Sequence, residues 1–150
     1  LIPCLDAADE IRKIREAIRC FRTGKNVSLG IILKTDAAAK DMYEVLAGYD
    51  GVEENQVEEN QVEGNGEEAC DISLLTREST SFQNGISITS VRMSKGLEFD
   101  EVLIPQADCR TYTSDFDRGL LYIACTRAMH RLTLTYSGKE TEFISGQPPF

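Results

Sequence analysis

What this sequence lacks narrows it before any motif is read. No apolar run approaches the roughly 20 residues that a bilayer-spanning helix needs, and the opening residues show no leader pattern. No C-x-x-C pair occurs among the five cysteines, Cys4, Cys20, Cys70, Cys109 and Cys125. The odd count and wide spacing suit neither a zinc site nor a disulfide framework, so reduced thiols and a cytoplasmic location are expected. His130 is the only histidine. It can join no Ser/His/Asp or metal constellation, and a polar helix end is its simplest expected role. A G-x-x-x-x-G-K-[ST] phosphate loop is also missing. Gly24-Lys25 is followed by Asn26 and Gly138-Lys139 by Glu140, with no earlier glycine in place. No acidic pair of the Mg²⁺-binding type follows a hydrophobic strand. Together these absences exclude a free-standing P-loop ATPase. The first residues are Leu-Ile-Pro rather than Met, as expected of an excised fragment.

What is present is a chain of single-domain size, 150 residues with 41% hydrophobic and 27% charged content, enough to bury one core. The formal charge of −9 argues against a free-standing nucleic-acid binder. The acid is uneven, however. Residues 53–68 hold seven glutamates and no Lys or Arg, and without them the remainder sits at −2. The stretch 52–68, VEENQVEENQVEGNGEE, repeats VEENQ in tandem. Its three isolated valines bury too little apolar surface to order it, so a flexible acidic loop is expected, with mimicry of nucleic-acid charge as the minor alternative.

Elsewhere the periodicity is regular. Ile11, Ile14, Ile18 and Phe21 recur at helical spacing over 6–23, with Asp6 as a cap and Gly24 as a stop. Val27 to Leu33 reads as a buried strand. A second helix is expected over 37–47, capped by Thr35 or Asp36, with Met42, Val45 and Leu46 inward. Short strands are expected near 71–75, 86–91 and 101–105. A helix from Asp115 or Asp117 to about His130 follows, anchored by Leu120, Leu121, Ile123 and Ala124, then a strand over 131–136. The tail Gly-Gln-Pro-Pro-Phe is expected to fray. Alternating helices and short strands predict an α/β layered fold with a mainly parallel sheet, whose ligands sit beyond the carboxyl ends of the strands.

Two segments carry chemistry. In Ile86 to Asp100, ISITSVRMSKGLEFD, Gly96 allows a positive φ or close backbone approach, Lys95 offers a point charge to phosphate, and Glu98 could accept from a sugar hydroxyl. Alone, a Lys-Gly turn is an ordinary loop. In Asp117 to Leu132, DRGLLYIACTRAMHRL, Arg127 follows Tyr122 and Thr126 near the far end of a helix. A rigidly held guanidinium suits the charge of a transferred phosphoryl group. Alone, one helical arginine is a solvated surface residue.

The pair, in this order, resembles UvrD/Rep-type superfamily 1 helicases. S-K-G-L-E-F-D is similar to their motif V, A-K-G-L-E-F after a strand. L-L-Y-I-A-C-T-R-A-M-H-R-L-T-L is similar to motif VI, Y-x-x-x-T-R-A before a strand. L-G-I-I-L-K-T-D-A-A-A-K resembles motif IV more loosely. The resemblance covers about residues 27–136. It implies a RecA-like three-layer domain, the C-terminal of two motor domains. ATP with Mg²⁺ would be held mainly by the absent first domain, and the fragment alone would be inactive. Arg127 matches the catalytic arginine finger. Gly96, Glu98, Lys95 and Lys34 match nucleotide-side positions. Lys34 stands where relatives often have an arginine, and Lys loses the bidentate fork; Leu33 stands where some have a tyrosine beside the base. Where relatives read T-x-H-x-A-K-G, with Thr and His near single-stranded DNA, this chain has Ser90 and Arg92. Those two are the candidate DNA-binding residues. Arg92 also raises a HelD-type alternative, an interaction module that remodels RNA polymerase. The implied partners are single-stranded DNA and the N-terminal RecA-like domain, or RNA polymerase in the alternative.

Overall fold

The computed structural model describes residues 1–48, 72–79 and 84–145. The acidic stretch 52–68 and the last five residues lie outside them. Among the described residues nine elements follow one another: β1 (Ile2–Cys4), α1 (Ala7–Thr23), β2 (Ser28–Leu33), α2 (Asp36–Ala47), β3 (Ile72–Leu74), β4 (Gly85–Ser90), β5 (Phe99–Ile104), α3 (Asp115–Cys125) and β6 (Ala128–Ser137). The six strands form one sheet in the order β1-β6-β5-β2-β4-β3. Every ladder is parallel.

The sheet is parallel because each return crosses over its faces, and those crossovers cover both sides. β2, SLGIIL, is therefore buried along its whole length. Its Leu29, Ile31 and Leu33 face one core with Ile14, Ile18 and Phe21 of α1 and Ala39, Met42 and Leu46 of α2. Ile32 faces the opposite core with Val102 and Ile104 of β5 and Leu121 and Ala124 of α3. Burying each such Leu, Ile or Phe contributes about 1.5–3 kcal/mol. The result is a three-layer α/β domain.

The helix ends follow their local chemistry. The Asp6 side chain accepts from the Asp9 N–H at 2.8 Å to start α1, and the Gly24 N–H closes it on the Phe21 carbonyl. Thr35 caps α2, accepting from the Ala38 N–H at 3.1 Å. Ser114 and Asp117 form a reciprocal capping box on α3, which holds two otherwise unpaired amide donors.

Four expectations are corrected. Val45 is exposed, 45% accessible, because the inward stripe of α2 runs through Ala39, Met42 and Leu46. Ile123 is also exposed, and Leu120 is only partly buried. α3 ends at Cys125, not near His130, because Ala128 already pairs with Phe99 across the β5–β6 ladder. His130 thus lies exposed on β6, 3.8 Å from the Asp100 carboxylate, and not at a helix end. β1 was not anticipated from the sequence; three residues acquire strand geometry only by pairing with Thr135–Ser137.

One contact ties the layers together. A register shift between Phe99 and Glu101 turns the Phe99 side chain onto the α3 face, where it is fully buried in the second core. Its ring lies over Gly30; a Cβ there would sit 2.6 Å from the ring. Gly30→Ala is therefore expected to destabilise the domain by about 1–3 kcal/mol through overpacking. Gly119, with open space around it on α3, gives the opposite sign: Gly119→Ala is expected to stabilise by about 0.5–1 kcal/mol. Urea unfolding of both variants checks this, and equal shifts would contradict the packing described.

Candidate nucleotide and strand-binding surfaces

The strand register sorts the sequence-nominated residues into two groups. Leu33 pairs with Ser90, so Lys34, Ser90 and Arg92 lie at the carboxyl ends of β2 and β4. Glu101 pairs with Leu29 and Phe99 with Ala128. Glu98 and Arg127 therefore lie at the amino ends of β5 and β6. The 91–98 turn carries the chain from one end of the sheet to the other. The first group lies beyond the carboxyl ends of its strands, where ligands were expected, whereas Glu98 and Arg127 lie at the opposite end of the sheet.

At the amino-end group, Arg127 sits two residues past α3. Its amide donates to the Ala124 carbonyl at 3.1 Å, and its carbonyl accepts from the Phe99 N–H at 2.9 Å. Its guanidinium donates to the Ile123 carbonyl at 3.3 Å, the Leu97 carbonyl at 3.4 Å and the Thr126 hydroxyl at 3.3 Å. All three acceptors are neutral. Among the described residues no carboxylate lies within ion-pair distance of it. The side chain is thus oriented without being neutralised. Gly96 lies three residues before Phe99 with φ of 82°. A Cβ there would meet nothing within 4 Å, so glycine is needed for the backbone conformation and leaves an open face. Lys95 and Glu98 flank it, both exposed.

At the carboxyl-end group, Asp36 organises two of the nominated residues. The Ser90 hydroxyl donates to one of its oxygens and the Arg92 guanidinium to the other. The Met93 N–H in turn donates to the Ser90 hydroxyl at 3.2 Å. These bonds, Ser90 first and then Arg92, hold the Asp36 carboxyl below its usual range. Beside them opens a cavity of about 440 Å³ lined by Asp36, Lys40, Leu75, Arg77 and Met93 among others.

Lys34 is committed elsewhere. Its ammonium donates to the Thr111 carbonyl at 2.7 Å and pairs with Asp117 at 2.8 Å. It also lies 5.8 Å from the centroid of the Tyr112 ring. Asp117 is 8% exposed and also accepts from the amides of Thr113 and Ser114. Lys34 first, then the Thr113 amide, drive its carboxyl well below the ordinary range. Asp36 and Asp117 were read from the sequence only as candidates for helix starts. Ser114-x-x-Asp117 is a readable capping box, but neither the Lys34 partner nor the Ser90 and Arg92 partners of Asp36 are local.

The Asp117 carboxyl titrates lower folded than unfolded, so its contribution is present in full above the unfolded value near 3.8 and is lost as pH falls below it. Asp117→Asn should therefore cost about 1.5–3 kcal/mol at neutral pH, the range for hydrogen bonds to charged groups. The gap to wild type should narrow below pH of about 4. Urea midpoints across pH 3 to 7 test this; a gap constant with pH would contradict the ion pair.

Comparisons with known proteins converge on the same segment. The UvrD-like helicase C-terminal domain family matches residues 85–135, from β4 through β6. No curated protein matches the chain. Among solved structures, the chain is similar to the C-terminal domain of a possible DNA helicase from Lactobacillus plantarum WCFS1, at 20% identity and a TM-score of 0.73. That alignment covers 96% of this chain and 76% of the other, and at this identity it establishes the fold. Residues 85–135 are thus similar to the C-terminal domain of UvrD-like helicases, and the six-stranded parallel sheet has the fold of that solved domain.

Proposed function

We propose that the chain is the second motor domain of an ATP-dependent DNA helicase or translocase, supplying an arginine finger and part of the single-strand surface. The observation that carries this reading is Arg127, a guanidinium that, among the described residues, is held by neutral acceptors beside the open Gly96 turn. Neutral acceptors aim the fork and leave its positive charge for an incoming anion. The arrangement fits the outer side of a nucleotide's phosphates: Arg127 for the charge, the Gly96 backbone for close approach and Glu98 for a sugar hydroxyl. Lys95 adds a cation on the same turn. The phosphate cradle and the Mg²⁺ ligands belong, in this reading, to the N-terminal RecA-like domain. Closing of the two domains brings Arg127 to the terminal phosphoryl group. There it stabilises charge in the transition state, and hydrolysis lets the cleft reopen. The setting proposed for this motor is the cytoplasm.

The strand surface is proposed at the other end of the sheet, where Ser90, Arg92 and the neighbouring cavity meet. Lys40 and Arg77 provide cations there, and Leu75 and Met93 provide apolar surface, a combination that suits backbone phosphates and unstacked bases. One observation favours the HelD-type alternative: the Arg92 charge is already met by Asp36. In that reading the domain serves RNA polymerase and makes no strand contact through Arg92.

Two experiments on the full-length protein follow. Arg127→Ala is expected to lower kcat by about 10³ to 10⁵ while sparing much of the ATP affinity. Arg127→Lys should rescue poorly, and the isolated chain should show no turnover. An unchanged kcat at saturating nucleic acid would remove Arg127 from the chemistry. For the strand surface, Arg92→Ala should reduce the salt slope of single-stranded DNA binding by roughly 0.7, and Asp36→Asn, which removes a competing negative charge, should tighten binding. Salt titrations in which neither variant differs from wild type would favour the HelD-type reading.

A further inference from the structure

We propose that Lys34 is a positioning residue for Arg127, which it reaches through Asp117 and α3, and that it is not itself a ligand of the nucleotide. This inference rests on the reading of Arg127 as the finger. The Lys34 ammonium sits on Asp117, the third residue of α3, at 2.8 Å. The Arg127 guanidinium sits on the carbonyl of Ile123, in the last turn, at 3.3 Å. Six residues of helix separate those anchors, about 9 Å of axial rise at about 1.5 Å per residue. Hydrogen bonds reach only about 3 Å. The Lys34 ammonium is spent on Asp117 and the Thr111 carbonyl at the end of α3 remote from Arg127.

The coupling runs through a helix with few inward points of attachment. α3 buries Asp117, Leu121 and Ala124, a stripe at i, i+4 and i+7. Its opposite side leaves Phe116 75% and Tyr122 71% exposed. Asp117 is thus one of three buried anchors, and the one at the end remote from Arg127. Lys34 neutralises that buried carboxylate and fastens it to the end of β2, the central strand. Thr111 accepts a second bond from the same ammonium, which ties in the loop leading to α3. Removing the ammonium leaves a buried carboxylate without its counter-charge, a costly state. The helix is then held mainly by Leu121 and Ala124, with Leu120 and Cys125 packed beside them. Arg127, two residues past its end, inherits the looseness.

The test uses the full-length protein with Lys34→Gln, Asp117→Asn, the double variant and Lys34→Arg. Steady-state ATPase is measured beside peptide-resolved alkylation of Cys125, a half-buried free thiol at the end of α3. Exposed Cys20 and Cys109 serve as internal references. Each single variant is expected to lower kcat by about tenfold with the KM for ATP within about twofold, and to speed Cys125 alkylation. The double variant should be no worse than the poorer single, since both remove one interaction. Lys34→Arg, which keeps a cation for Asp117, should restore kcat and Cys125 protection.

A raised KM for Lys34→Gln with an unchanged Cys125 rate would overturn the proposal and make Lys34 a nucleotide ligand. So would effects on kcat that multiply in the double variant. If Lys34→Gln does not accumulate as folded protein, Lys34→Arg decides: normal KM and normal Cys125 protection support the proposal, and raised KM with normal protection overturns it. A wild-type protein without ATPase activity would sink the proposed function, whereas the alkylation rates would still report whether Lys34 holds α3.

Discussion

The Phe99 ring lying on Gly30 is the constraint from which the rest of the arrangement follows. Gly30 is at the middle of β2, the strand buried on both faces and paired on both edges. The absence of a side chain there makes a slot deep enough for an aromatic ring. The register shift at the start of β5 turns Phe99 into it, and the ring then contributes to the core beneath α3. The same residue's amide N–H donates to the Arg127 carbonyl. One buried ring thereby holds the end of the 91–98 turn, the start of β6 and the arginine between α3 and β6.

This geometry separates two kinds of basic residue. Arg127 is aimed by carbonyl and hydroxyl oxygens and keeps its charge. Lys34 and Arg92 are each met by a carboxylate. The difference decides what each can do. An unneutralised guanidinium attracts an incoming anion, whereas a paired cation must first give up its partner. The Arg92–Asp36 pair is solvent-exposed, 60% and 50% accessible, so exchanging its partner costs little. The Lys34–Asp117 pair is largely enclosed, and there exchange would strand a carboxylate among the residues of the domain interior. Surface and interior pairs of the same chemistry thus behave as a replaceable contact and a structural tether.

Much of the layering was legible in the sequence because it depends on local periodicity. The spacing of Ile14, Ile18 and Phe21 is that of one helix face, and those residues are buried. The apolar run ending at Leu33 is the central strand, and Thr35 is the cap that its side chain and position suggest. The misplaced end of α3 has a different origin. Thr126 to His130 have acceptable helical composition, but the amide and carbonyl of that stretch are claimed by β5. Pairing of Ala128 with Phe99, far back along the chain, leaves no periodic trace. Val45 failed for a simpler reason: the stripe set by Ala39, Met42 and Leu46 is narrow, and Val45 lies just off it.

The sequence by itself determined the alternation of helices and strands, the two motif loops and the residues Gly96, Glu98 and Arg127 that define them. Such features are written in short spacings, where the physical causes are helix period, backbone freedom at glycine and capping. Only the tertiary structure decided that Arg127 and Lys34 stand at opposite ends of α3, that Asp117 is the counter-charge of Lys34 and Asp36 that of Arg92, and that Ser90 and Arg92 share one carboxylate. Lys34 and Asp117 are far apart in the chain, as are Asp36 and Arg92. Coulombic attraction and hydrogen bonding act over a few ångströms of space, and folding alone brings those distant positions within that range.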